Sequence, residues 1–166
     1  MDISSFNKED LAKLVFIDEL TGLYNRRFFY QHLNDKVNWK DPSQMFALLM
    51  IDIDFFNKIN DTYGHLEGDN VLHQLGVALK ETVGDSGLAI RYAGDEFSVL
   101  LPYGDKKKSL ALAETILKRI SSAKFSRRDA QAEPLRINIS IGIASFPDDA
   151  KSSQNLIEQA DKALYL

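Results

Sequence analysis

Cysteine is absent from this chain. No disulfide can hold the fold and no thiolate can bind a metal, and the composition fits a reducing compartment, the cytoplasm. No apolar run approaches the roughly 20 residues that a membrane span needs, and the N-terminus lacks the basic-then-apolar order of a secretory signal. Excess positive charge is missing too. The 20 Lys and Arg stand against 24 Asp and Glu, a net charge of −4, which excludes a general attraction to nucleic acid or to anionic membranes. His is scarce, and none stands at a metal spacing from His65, which reads as a structural residue. Internal repeats and low-complexity segments are also lacking. What is present is ordinary for one globular domain: 166 residues, 45% hydrophobic and 27% charged, enough for a full core.

The order of periodicities predicts an α/β or α+β fold with a mixed or antiparallel sheet. Helical spacing runs from Glu9 to Ile17 as a lead-in over residues 1–17. A loop follows from Asp18 to Asn25, and Asn25 is a good N-cap for a helix from Arg26 to about Val37. Asp41-Pro42-Ser43 reads as a turn, and Met45 to Ile51 as a buried strand. A short helix covers Phe55 to Tyr63 and breaks at Gly64. A longer one runs from Gly68 to Thr82 with Val71, Leu72, Leu75 and Leu79 on one face. Two β-prone runs, Leu88-Ala89-Ile90 and Phe97 to Leu101, flank a tip of small and acidic residues, a hairpin pattern. Lys106 to Ser122 is an amphipathic helix, Phe125 to Pro134 a polar, flexible loop, and Ile137 to Ala144 a strand. Ser152 or Ser153 caps a last helix. The pattern is still helical at Asp161 to Leu166 with no stop signal, so the C-terminus reads as a cut through a longer protein.

Two acidic groups carry the chemistry. Asp95-Glu96 sits at the hairpin tip, exposed yet held by strands. Asp52-Ile53-Asp54 ends a buried strand some forty residues upstream. Carboxylates from adjacent strand ends can share hard Mg²⁺ ions that also hold substrate phosphates, the arrangement of two-metal phosphoryl and nucleotidyl transfer. For Asp54, capping the next helix is at least as good a reading. The start of that helix offers free backbone N–H groups for phosphate. Asn60 and Asp69 could read guanine, whose N1 and N2 donors suit a carboxylate and whose O6 suits an amide. Each alone also reads as a turn or cap residue beside Gly64 and Gly68. Phe55 and Phe56 read as core.

Taken together, the ordered set resembles the GGDEF domain of the diguanylate cyclases. It comprises Asp18, Leu20, Thr21, Gly22, Leu23, Asn25, Arg26 and Arg27; then Asp52-Ile53-Asp54 with Phe56, Ile59-Asn60-Asp61, Tyr63-Gly64-His65 and Gly68-Asp69; then Arg91-Tyr92-Ala93-Gly94-Asp95-Glu96-Phe97; then Ser140-Ile141-Gly142-Ile143-Ala144; and finally Ala160-Asp161 with Ala163-Leu164-Tyr165. The resemblance covers residues 18–166. It implies a palm-like nucleotide-cyclase fold, a central, mostly antiparallel sheet surrounded by helices. It implies condensation of two GTP into cyclic di-GMP with loss of two pyrophosphates, in a homodimer where each domain brings one GTP. It also implies Mg²⁺, two per site with Mn²⁺ as a substitute, and an upstream sensory or regulatory domain. On this sequence, the metal ligands would be Asp52, Asp95 and the Ile53 carbonyl. Asp95 and Glu96 would be catalytic, Asn60 and Asp69 would hold guanine, and Phe55, Phe56, Asn57 and Lys58 would lie along the phosphates. No contact with nucleic acid or membrane is implied.

The sequence departs from the family pattern in four places. Ala93 replaces the first Gly of the signature, where an added methyl could crowd the nucleotide and resist a positive φ. Asn57 stands where the family has a phosphate-facing Lys, and Lys58 is turned from it by about 100° of helix. The basic residues that follow the Ala-Leu-Tyr motif are missing. The Arg-x-x-Asp product site is replaced by Gly84-Asp85-Ser86-Gly87. These departures leave open an alternative, a weak or inactive GTP-binding or protein-interaction module.

Overall fold

The strand that ends in Asp52-Ile53 is buried on both sides, and the other elements are arranged around it. The computed structural model describes residues 14–38, 40–41 and 43–166, together with 7 and 12. In chain order the elements are β1 (Tyr24–Asn25), α1 (Arg26–Lys36), β2 (Phe46–Ile53), α2 (Phe56–Tyr63), α3 (His65–Val83), a 3₁₀ turn (Gly84–Ser86), β3 (Leu88–Ala93), β4 (Glu96–Pro102), α4 (Lys106–Ser122), β5 (Ile139–Phe146) and α5 (Ser153–Leu164). The sheet order is β1-β3-β4-β2-β5. Only β1 and β3 are parallel; the other pairs are antiparallel. This is the mostly antiparallel α/β sheet that the periodicities predict.

Successive side chains of a strand point to opposite faces, and β2 uses both. Leu49, Ile51 and Ile53 join Val71, Leu75 and Leu79 of α3 and Ile116 and Ile120 of α4. Phe46, Leu48 and Met50 join Phe29 and Leu33 of α1 and Leu156 and Ala160 of α5. Asp52 is in phase with Leu48 and Met50, so it leaves the core on the α1–α5 side. Gly142 of β5 pairs with Met50 and lets the backbone of α5 come close. A Cβ there would lie 2.1 Å from the Ala160 carbonyl oxygen and 2.4 Å from the Leu164 nitrogen.

Helix ends follow local chemistry. Asn25 caps α1, its Oδ1 accepting from the Phe28 N–H at 3.0 Å, while its Nδ2 donates to the Val15 carbonyl at 2.9 Å. Of the two serines, Ser152 is the cap of α5. Helix α3 begins at His65, three residues before the expected start, because Gly64 at φ +84 already breaks the chain there. Gly68 instead lies inside α3.

The segment 125–134 is not the loose loop that its polarity predicts. Phe125 is buried and exchanges backbone hydrogen bonds with Leu135 at 2.9 and 2.8 Å. The Gln74 amide accepts from the Ser126 N–H at 2.9 Å and donates to its carbonyl at 2.8 Å. The buried Glu67 carboxylate pairs with Arg127 and accepts from the Arg128 N–H. Side chains of α3 therefore hold a stretch that has little apolar content of its own. Strand β5 begins at Ile139, not Ile137, although the Asn138 carbonyl still accepts from the Asp54 N–H at 3.0 Å. Of the lead-in helix, residues 14–16 are helical and much of the rest lies outside the described residues, as does Pro42 of the 41–43 turn. Among the described residues no helix is long and apolar enough to cross a membrane.

Candidate active site

The hairpin tip is built from an irregular strand end. Ala93 pairs with Glu96 after a register shift that follows Arg91, and Gly94 makes the turn at φ +30. Gly94 is therefore the residue that needs a left-handed backbone. Ala93 does not, and its side chain packs against the α1–α5 core. The backbone part of the conflict expected for an alanine at this position, a positive φ, is therefore absent. Arg91 fixes the tip from below. Its Nε and Nη2 donate to the Gly94 carbonyl at 3.1 and 2.9 Å, and its Nη1 donates to both Asp18 oxygens at 3.2 and 3.3 Å. Asp18 also accepts from the Thr21 N–H and hydroxyl. Burial alone would raise the Asp18 carboxyl, but the Thr21 hydrogen bonds and the Arg91 guanidinium outweigh it and hold it below the usual range. The conspicuous arginine before the signature thus joins the tip to the 18–21 turn.

Asp52 and Glu96 are direct partners across the β2–β4 pair, and cross-strand partners place their side chains side by side on one face. The electrostatics record the crowding. Burial, then Asp95, Glu96 and Asp54, push the Asp52 carboxyl up to about 6. Burial, then Asp161 and Asp95, raise Glu96, while Arg26 pulls it back. The Tyr165 hydroxyl is raised by burial and by the same acids. The C-terminal end of α5 thus lies within electrostatic reach of these acids. Asp161 and Tyr165 were legible in the sequence only as parts of a motif. Their i,i+4 spacing at a helix end, which puts both on one face, was the available signal.

Several expected residues stand differently. Asp54 is not a helix cap: it accepts from the Ser140 hydroxyl at 2.8 Å, and the α2 cap position is Phe55, with no side-chain hydrogen bond. Phe56 is core at 8% exposure, but Phe55 is 83% exposed and holds φ +58. This αL conformation turns the chain sharply between Asp54 and α2, and Phe55 carries the strain of a bulky residue at positive φ. Asn57 and Lys58 are exposed, and Lys58 lines a cleft with Thr62, Tyr63 and Arg136. The Asn60 Oδ1 is buried without a hydrogen-bond partner. It fills the space left by the missing side chain of Gly68, where a Cβ would be 1.9 Å away. Asp69, the next residue of α3, is exposed.

Among the described residues no three His, Asp or Glu side chains close on one point as a cage made by protein alone would require. The donor set still suits Mg²⁺. That ion is held by one or two carboxylates plus substrate phosphates and waters. Asp52, Asp95 and the Ile53 carbonyl offer hard oxygens, and a divalent cation would offset both the burial and the neighbouring negative charge that raise Asp52.

The family model for the diguanylate cyclase GGDEF domain matches residues 15–166. This chain belongs to the GGDEF family. Diguanylate cyclase A of Treponema denticola is 33% identical over 165 residues, covering 97% of this chain and 44% of that protein. The response regulator PleD of Caulobacter vibrioides is 36% identical over 163 residues, 96% of this chain and 35% of its own length. The GGDEF chain thus spans less than half of each of these relatives. Among solved structures, the coiled coil and GGDEF domain of DgcB from Caulobacter crescentus, in complex with c-di-GMP, matches with a TM-score of 0.85 at 29% identity, covering 95% of this chain and 82% of that one. The GGDEF domain of TpbB (YfiN) from Pseudomonas aeruginosa matches at 0.80 and 34%, covering 90% and 86%.

Proposed function

We propose that this GGDEF domain is a diguanylate cyclase that condenses two GTP into cyclic di-GMP and two pyrophosphates across a homodimer of domains. The observation that carries the reading is the acidic group of Asp52, Asp95 and Glu96 at the strand ends, with charges that repel one another and await a cation. Asp52, Asp95 and the Ile53 carbonyl would hold Mg²⁺, which when bound offsets phosphate charge and polarises the α-phosphate. Asn60 and Asp69 would read guanine. The backbone from Phe55 to Lys58 would face the terminal phosphates, the αL turn at Phe55 setting the approach. In each half-reaction a 3′-oxygen bonds to the α-phosphorus of the GTP on the other domain, and the bond from that phosphorus to pyrophosphate breaks. The hydroxyl proton passes to Glu96 or Asp95. Burial and neighbouring acids raise the Glu96 carboxyl, which favours proton acceptance.

The test is GTP turnover with Mg²⁺ at several protein concentrations. A rate per subunit that rises with concentration is expected, and no cyclic di-GMP from a verified dimer would sink the reading. The exposed, neutral Asn57 favours one alternative, a module that binds GTP without turning it over. Turnover that is lost in Asp95→Ala excludes that alternative.

Two smaller predictions arise here. Because Gly94 and not Ala93 carries the positive φ, Ala93→Gly should change turnover by less than about threefold. It should lower stability by about 0.5–1 kcal/mol through backbone entropy, as read by urea denaturation. Gly84 and Gly87 leave the product-site positions without a guanidinium or carboxylate. The cleft there is lined by Ile17, Leu23, Val83 and Leu88 with Lys80 and Asp85. Calorimetry should therefore show no tight cyclic di-GMP binding at this loop, and tight binding there would overturn the claim.

A further inference from the structure

Arg26, the first residue of α1, is an exposed cation beside an acidic site. Its guanidinium lies over the Tyr92 ring at 4.9 Å and the Tyr30 ring at 5.6 Å. The two tyrosine hydroxyls are 2.7 Å apart. Tyr92 is 9% exposed and stands edge-on to the fully buried Phe29 at 5.4 Å, so the platform is anchored in the α1–α5 core. Among the described residues no carboxylate lies within ion-pair distance of Arg26. A guanidinium carries five N–H donors in one plane. The two tyrosines, their hydroxyls included, do not consume all five. This is a cation fixed in place by aromatic stacking rather than neutralised by an acid.

Its place in the fold gives the cation a purpose. Tyr92 is two residues before Gly94 on β3, so Arg26, which lies over its ring, stands beside the hairpin that carries Asp95 and Glu96. The acids of the site come from β2, the hairpin and α5, while Arg26 enters from α1. A nucleotide triphosphate brings more negative charge to a site that is already acidic, and position 57 supplies only a neutral amide. We infer that Arg26 is a phosphate-binding residue of the nucleotide site, presented in a fixed orientation by the Tyr30–Tyr92 pair and providing positive charge that Asn57 does not. The inference rests on the cyclase reading. The phosphate is that of the nucleotide bound to the same domain or of the one carried by a second copy. A planar fork held by stacking is suited to either, because phosphate accepts two parallel N–H bonds.

The experiment uses Arg26→Gln and Arg26→Lys in the full chain. Binding of a non-hydrolysable GTP analogue and of guanosine, which has no phosphate, is measured by calorimetry, and turnover is measured alongside. If the phosphate is on the same domain, Arg26→Gln weakens the analogue by about tenfold and leaves guanosine unchanged. If it is on the second copy, both affinities are unchanged and kcat falls by about a hundredfold. In either arm Arg26→Lys restores part of the loss. A merely structural role would weaken guanosine and the analogue equally, and that result overturns the inference. So does a change below twofold in both binding and kcat. Failure of the unaltered protein to bind the analogue overturns the cyclase reading, and this inference with it.

Discussion

Asp52→Asn should make the domain more stable and inactive at once. With no cation bound, burial and then the neighbouring acids push the Asp52 carboxyl up to about 6, against 3.8 for an unperturbed side chain. The unfolded chain therefore gives up this proton near pH 4 and the folded chain near pH 6. Between those values the native state binds more protons, so stability falls as pH rises, and above pH 6 the full penalty is present. Asparagine keeps the shape and removes the charge. Because Asp52 is only partly buried, solvent screening reduces the gain to about 1–2 kcal/mol at pH 7.5, or about 3–6 °C in Tm for a domain of this size. The advantage of the variant over the parent should shrink at pH 5. Turnover should fall by about 10³-fold or more, because a lost metal ligand removes several kcal/mol of charge stabilisation. A variant that is no more stable than the parent at pH 7.5 would show that the acids do not repel as described, and one that keeps its activity would remove Asp52 from the chemistry.

Gly142→Val should be the most damaging single change to the fold. Valine in a strand is normally favoured over glycine, by up to about 1 kcal/mol. Here its Cβ would meet the Ala160 carbonyl oxygen at 2.1 Å, the Leu164 nitrogen at 2.4 Å and the Leu164 Cα at 2.9 Å. All three are backbone atoms of α5, so no rotamer change relieves the clash and the helix must move as a unit. Overpacking of this kind costs about 3 kcal/mol or more, which outweighs the strand preference. Because α5 also carries Asp161 and Tyr165, the displacement should lower turnover even at temperatures where the protein stays folded. A urea midpoint equal to that of the parent would contradict this account of how α5 sits on the sheet.

The sequence showed the acids clearly and their surroundings poorly, for physical reasons. Alternation and helical spacing report burial directly, so β2, the hairpin and the apolar faces of α3 and α4 were legible. Motif order brought Asp52, Asp95 and Glu96 together. The conformation of single residues was not legible. Phe55 reads as core on hydrophobicity, yet an αL backbone turns it to solvent while its neighbour Phe56 is buried. Asp54 reads as a helix cap on composition, yet Ser140 of a strand 86 residues away takes it as an acceptor. The 125–134 segment reads as loose because its anchors, Gln74 and Glu67, lie on a helix more than fifty residues earlier. For Asp54 and the 125–134 segment the deciding partner is distant in sequence and polar, for Phe55 it is one backbone angle, and local periodicity carries no trace of either.

The turn at the hairpin tip has a consequence for how such chains are recognised. A pattern that demands glycine at both positions before the acids treats 93 and 94 as equivalent letters. The backbone does not: one of them is at φ +30 and the other is a half-buried strand residue packed against the core. Screening by such letters would discard this chain for a substitution at the position whose backbone does not require glycine. Screening by conformation would ask only about residue 94, and it would retain an alanine at 93 while rejecting one at 94.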